Sequence, residues 1–181
     1  MNSNVKRIAN ALSLRTPQQE SLALFAELCD ILSLSKTPDL AVECRAIQQR
    51  IPAFSSFERS FPSLCFALAT GIGKTRLMGA LMAYLYYEKG VLNFFVMAPN
   101  LTIYRKLRDD FSNVSSPKYV FKGLDAFVNP PRIIDGDNYE EFRETGHIGL
   151  SDITINIFNI SKWNSESKSK NGQMSRTMRL S

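Results

Sequence analysis

Apolar residues recur at three- and four-residue intervals through the first fifty positions. Val5, Ile8, Ala9 and Leu12 share one face of a helix over residues 5–14. Leu22, Phe25, Ala26, Cys29 and Leu32 do the same for a second helix. Its start carries clear signals: Thr16 suits an N-cap, Pro17 the first helical position, and Gln19 completes a capping box. Residues 35–39, with Pro38, break the pattern, and residues 40–51 read as a third helix. The connector 52–62 carries Phe54, Phe57 and Phe61, which are expected to pack against the core rather than to stack bases. The periodicity then changes. Residues 63–68 form a short apolar run that reads as a first strand. Residues 74–88 return to helical spacing, with Leu77, Met78, Leu81, Met82 and Leu85 on one broad face, the methionines as core fillers and Gly90 as C-cap.

Val91 to Ala98 is almost unbroken in its hydrophobicity, as a parallel strand is when helices cover both its faces. Pro99-Asn100 ends it, and residues 102–111 begin a helix. Residues 119–121 and 132–134 are short strand candidates, 135–138 is a turn, and Ile153, Ile155 and Ile157 place a strand within 152–160. The order βαβα predicts an α/β fold, with a right-handed crossover and a partial parallel sheet flanked by helices, behind an N-terminal helical segment. Three segments follow: helices over 1–51, an α/β part over 52–161, and a polar, basic tail over 162–181 that reads as disordered.

Composition narrows this picture only at a few points. A chain of 181 residues, 44% hydrophobic and 22% charged, suits one globular domain. No apolar stretch is long enough to cross a bilayer and the first ten residues lack a signal-peptide core, so a cytoplasmic protein without a membrane is expected. Cys29, Cys44 and Cys65 are widely spaced, which argues for buried free thiols rather than a disulfide framework or zinc site. His147, the single histidine, lies in a turn-like surface context. Five cations and one acid from Lys162 onward account for +4 of the net charge of +5, so charge alone does not point to nucleic acid.

The chemistry concentrates in Ala69-Thr-Gly-Ile-Gly-Lys-Thr75, between the predicted strand and helix. Strand, Gly-rich turn and helix are the order a phosphate-binding loop requires. Gly71 and Gly73 admit positive φ and leave no Cβ between backbone and ligand. The amides of the turn and helix start, aided by the helix dipole, then point at an anion. Lys74 is placed for the β- and γ-phosphates and the Thr75 hydroxyl for Mg²⁺. The usual pattern begins with glycine five residues before Gly73. Leu68 stands there instead, and Thr70-Gly71 is left to make the turn.

Four stretches occur in a telling order: Leu14-Arg-Thr-Pro-Gln-Gln-Glu20, the Gly-rich loop, Val96-Met-Ala-Pro-Asn100 and Ile155-Asn-Ile-Phe-Asn-Ile-Ser161. Together they resemble the start of a superfamily 2 helicase-type motor, and most closely the Res subunit of type III restriction–modification enzymes, over residues 12–180. The resemblance implies a P-loop NTPase (RecA-like) lobe binding ATP and Mg²⁺, with DNA and a methyltransferase (Mod) subunit as partners. Position by position, Gln18 matches the glutamine that reads adenine. Thr70, Gly71, Ile72, Gly73, Lys74 and Thr75 match the nucleotide contacts, with Thr75 on the metal. Asn100 and Thr102 match the loop and helix start that touch the DNA backbone. Arg105, Lys106 and Arg108 beside them are as compatible with a solvated face as with DNA.

The family's next motif is a strand ending in Asp-Glu-x-His, and no Asp-Glu pair occurs in the 181 residues. No catalytic residue is therefore assigned. The expectation is an N-terminal fragment that stops short of that motif, binds ATP and turns it over poorly. Two rivals stand beside it. One is a small nucleotide-binding regulatory protein, which would need its own Mg²⁺ acid, with Asp152 as the strand-end candidate. The other is a structural α/β domain whose Gly-rich turn is empty.

Overall fold

The computed structural model describes residues 2–138 and 152–160; His147 and the basic tail lie outside them. The fold is α/β, and the chain divides into two compact units, residues 1–90 and 91–181.

The first unit is helical. Helix α1 (Ser3–Ala11) starts where the Asn2 side chain accepts a hydrogen bond from the Asn4 amide, and it buries Val5, Ile8 and Ala9. Helix α2 (Thr16–Ile31) follows after four residues. Helix α3 (Leu40–Arg50) is capped by Asp39, whose carboxylate accepts from the Ala41 and Val42 amides. Helix α4 (Lys74–Lys89) packs on α1 and α2, and α2 also packs on α3. Leu28, Leu32, Ile47 and Phe57 form a core cluster, with Phe54 packed against it. At about 1.5–3 kcal/mol per fully buried large apolar side chain, such clusters supply most of the stabilisation of this unit.

Several expectations shift. The α2 N-cap is Arg15, one residue before Thr16, which makes Gln18 rather than Gln19 the glutamine that reaches back to the cap amide. Gln19 instead donates to the Leu14 carbonyl at 2.6 Å. Residues 63–68 do not form a strand. An extended segment becomes one only when a neighbouring strand satisfies its ladder of amides and carbonyls, and among the described residues none pairs with it. Cys65 in this segment is exposed and Cys44 half-buried, so Cys29 is the one buried thiol of the three. Phe61 is 57% exposed and takes no part in the core. Helix α4 buries Leu77, Ala80, Met82, Ala83 and Tyr84, so its covered surface runs further round the helix than a single face; Met78 is only half-buried.

The second unit holds the sheet. Strands β1 (Asn93–Ala98), β2 (Arg132–Ile134) and β3 (Thr154–Asn159) are ordered β1-β3-β2, all parallel. The pairing runs from Asn93 opposite Thr154 to Ala98 opposite Asn159, with Arg132 opposite Thr154 on the other side. Helix α5 (Leu101–Ser112) packs on all three strands. It covers one face only: Phe94, Val96, Ala98, Ile155 and Ile157 are buried, while Phe95 and Met97 remain 54% and 49% exposed. Within this unit, the expectation that helices cover both faces of β1 is met on one face only. Phe95 stacks on Phe158, ring centroids 5.4 Å apart, along the open face.

Residues 119–121 are not a strand either. Tyr119 N donates to Ser116 O and Leu124 N to Phe121 O, so the chain winds through successive turns, bounded by Pro117 and Gly123, that aim the aromatic rings inward. Phe121 stacks on Phe127 at 4.2 Å and on Phe111 at 5.8 Å. A single 3-10 turn (Asp125–Phe127) leads from here toward β2.

Candidate functional site

Helix α4 begins without a side-chain cap. Its N-cap is Gly73, in the left-handed region at φ 90°, ψ 46°, and Gly71 is left-handed as well at φ 80°. These are the two positions where glycine is required, since a side chain there would strain the backbone. Thr70 and Gly71 form the turn that the missing first glycine left in question. The amides of Lys74, Thr75 and Arg76 precede the first i to i−4 bond, which runs from Leu77 N to Gly73 O at 3.1 Å. With no side chain capping them, they remain available to an external acceptor, and the helix dipole favours an anion there. A Cβ built on Gly71 would meet nothing within 4 Å, so the turn is open to a ligand. Thr70, Gly73 and Lys74 are exposed, and Ile72 and Thr75 are half-buried. An uncapped helix entered through two left-handed glycines, with an exposed lysine and a hydroxyl in its first turn, fits a nucleotide's phosphates with their Mg²⁺.

Behind the loop sits the start of α2. Gln18 is 2% exposed. Its Oε1 accepts from the Arg15 amide at 2.8 Å, and its Nε2 donates to the Gly73 carbonyl at 2.8 Å. Arg15 Nη1 donates to the Gly71 carbonyl at 3.4 Å, and Arg76 Nη1 donates to the Leu12 carbonyl at 3.1 Å. The structure thus brings Gln18 to the loop, by its backbone. Arg15 and Arg76 were missed in the sequence, although each adjoins a motif residue; nothing in the spacing reveals that a side chain will reach a backbone carbonyl about sixty positions away.

In the second unit, Asn100 is the N-cap of α5, its Oδ1 accepting from the Ile103 amide at 2.9 Å, and Thr102 is exposed in the first turn. Of the nearby cations, Lys106 pairs with Asp110 one turn on, and Arg108 faces the buried Asp135 carboxylate at 3.4 Å. Asp135 Oδ1 accepts from the Asp137 and Asn138 amides at 2.9 and 3.2 Å, fixing the turn after β2. Burial, and then the neighbouring Asp135 charge, push the Tyr104 phenol above its usual range. Asp152 is exposed and precedes β3, at the amino end of the strand. Ligands of open α/β sheets gather at the carboxyl ends, so Asp152 is poorly placed as a metal acid. Among the described residues, no three His, Cys, Asp or Glu side chains cluster to hold a metal, and no helix is long and apolar enough to cross a membrane.

Comparison with known proteins agrees with the geometry. The pattern of the family described as "Type III restriction enzyme, res subunit" matches residues 11–179. A Haemophilus influenzae protein described as a probable type III restriction-modification enzyme HindVIP Res subunit is 38% identical over 58 residues. That stretch covers 32% of this chain and 11% of the relative's length. No solved structure matches. Since the family pattern runs through the glycine loop and nearly the whole sequence, the chain belongs to the type III restriction enzyme Res subunit family and carries its helicase-like, P-loop ATPase domain.

Proposed function

We propose that residues 70–75 bind Mg-ATP and that the chain is the N-terminal ATP-binding part of a DNA-dependent ATPase and translocase of the Res type. The observation that carries this reading is the uncapped N-terminus of α4 behind two left-handed glycines. Lys74 supplies the positive charge for the β- and γ-phosphates, the backbone amides of the first turn hold their oxygens, and the Thr75 hydroxyl holds the metal. Mg²⁺, when bound, neutralises phosphate charge that the loop amides alone leave uncompensated. Residues 1–51 present the glutamine to the loop, 52–161 form the motor lobe, and 162–181 are a basic tail. Asn100 and Thr102 touch a DNA backbone: an exposed α5 start offers amides to a phosphate, and the capping bond of Asn100 keeps that turn ordered. A methyltransferase subunit is the partner that the family membership supports, in the cytoplasm.

The test is calorimetric titration of the purified chain with Mg-ATP beside Lys74→Ala. Loss of the lysine's charge-assisted contacts is expected to weaken binding at least tenfold, about 1.4 kcal/mol. Equal affinity in the two proteins would sink the phosphate-loop reading in favour of an empty turn.

A further inference from the structure

We infer that Gln18 is a positioning residue of the phosphate loop, whose effect on nucleotide binding is exerted on the phosphates and is independent of the base. The inference rests on residues 70–75 being a phosphate cradle, and it concerns how that cradle is held open.

The family resemblance casts Gln18 as a reader of adenine. Reading adenine takes a carboxamide that presents its acceptor and its donor together to the base edge. Here both ends are turned elsewhere: Oε1 takes the Arg15 amide and Nε2 gives to the Gly73 carbonyl, each at 2.8 Å. With 2% of the residue exposed, little of its polar edge is left for a ligand. To meet a base the side chain would have to abandon the cap of α2 and leave the Gly73 carbonyl.

What the bond to Gly73 does follows from peptide geometry. The Gly73 carbonyl and the Lys74 amide belong to one planar, trans unit, so their C=O and N–H point in opposite directions. Tying the carbonyl to Gln18 directs the Lys74 N–H away from α2. Arg15 acts in the same sense one unit earlier: its hold on the Gly71 carbonyl at 3.4 Å sets the direction of the Ile72 N–H. Gly73 O also accepts from Leu77, so the same oxygen joins the start of the α4 ladder to α2. The fit is close. A Cβ on Gly73 would come within 2.8 Å of Gln18 Nε2, which gives this glycine a steric reason besides its left-handed φ of 90°. Gln18 therefore helps to keep the Lys74 amide, as Arg15 does the Ile72 amide, facing an incoming anion before it arrives, and less ordering remains to be done on binding.

The experiment titrates the full chain, wild type, Gln18→Ala and Gln18→Glu, with Mg-ATP, Mg-GTP and Mg-tripolyphosphate, alongside a thermal melt of each protein. Gln18→Glu keeps an oxygen for the Arg15 amide but faces the Gly73 carbonyl with an acceptor. Both variants are expected to weaken all three ligands by a common factor of about five to ten, the scale of one net hydrogen bond, with the ATP-to-GTP ratio unchanged. Weakening confined to ATP would overturn the inference and make Gln18 an adenine reader. Unaltered affinity for every ligand would overturn it too, as would a loss that follows the melting temperature and vanishes when the assay is cooled well below it. If the wild type binds none of the three, the phosphate-loop reading falls first, and the wild-type titration alone shows that.

Discussion

Two buried phenols show how single side chains set the chemical tolerance of this protein. Tyr84 donates to the Ala26 carbonyl at 3.4 Å and Tyr119 to the Phe127 carbonyl at 2.9 Å. Burial pushes each up from 10.0 to about 12, for Tyr84 with further help from the Asp30 charge. A folded pKa above the unfolded one means that the folded state resists losing the proton. Below pH 10 both states are neutral and nothing is lost; between pH 10 and about 12 the unfolded chain ionises first, and stability falls. Urea melts followed by circular dichroism are expected to hold steady from neutral pH to about 10 and then to shift to lower urea. A midpoint that stays flat through pH 12 would contradict the buried-phenol account. The residue scale was also where the sequence was hardest to read. Thr16, Pro17 and a glutamine correctly announced a helix start, but the frame was one residue off. That single step moved the capping role from Gln19 to Gln18 and so altered what Gln18 is free to do.

Helices were legible because their signals are local. The apolar spacing of α1 to α5, Asp39 before α3, and Gly90 in the left-handed conformation at the end of α4 are written within a turn of where they act. Strands depend on partners far along the chain, and here the sequence misled twice: among the described residues none pairs with 63–68, and 119–121 bury their rings through turns. The apolar run over 91–98 was read as covered on both sides, yet α5 reaches only one. Hydrophobicity alone cannot distinguish a face covered within its own unit from one left open. The open face yields a prediction at this scale. Phe95→Ser combined with Met97→Ser is expected to lower light scattering in concentrated solution while moving the melting temperature by only a few degrees, since both side chains are about half exposed. A large loss of stability would show that the Phe95–Phe158 stack is structural after all.

At the scale of the molecule, the α/β class and the family were readable from motif order, and the family match over residues 11–179 agrees with both. What could not be read was the division into two compact units or the rings that fill the second one, because the loop 113–131 has no period to follow. Phe121 is fully buried among Phe111, Tyr119 and Phe127. Phe121→Ala is expected to destabilise by about 3–5 kcal/mol, as large-to-small changes in a packed aromatic site do. Chemical denaturation of the variant checks this, and a shift under about 1 kcal/mol would mean that the rings around it can close the gap.

The strand order carries a consequence for how the protein is made. The central strand, β3, is the last of the three in the sequence, and neither β1 nor β2 pairs with the other. On a translating ribosome β1 is complete at Ala98 but waits for Asn159 before its ladder can close. At about 5–20 residues per second that interval lasts roughly 3–12 s. Throughout it an apolar segment with unpaired backbone is offered to whatever is nearby, so this is the stage of the protein's life at which a nascent-chain chaperone would have the most to cover.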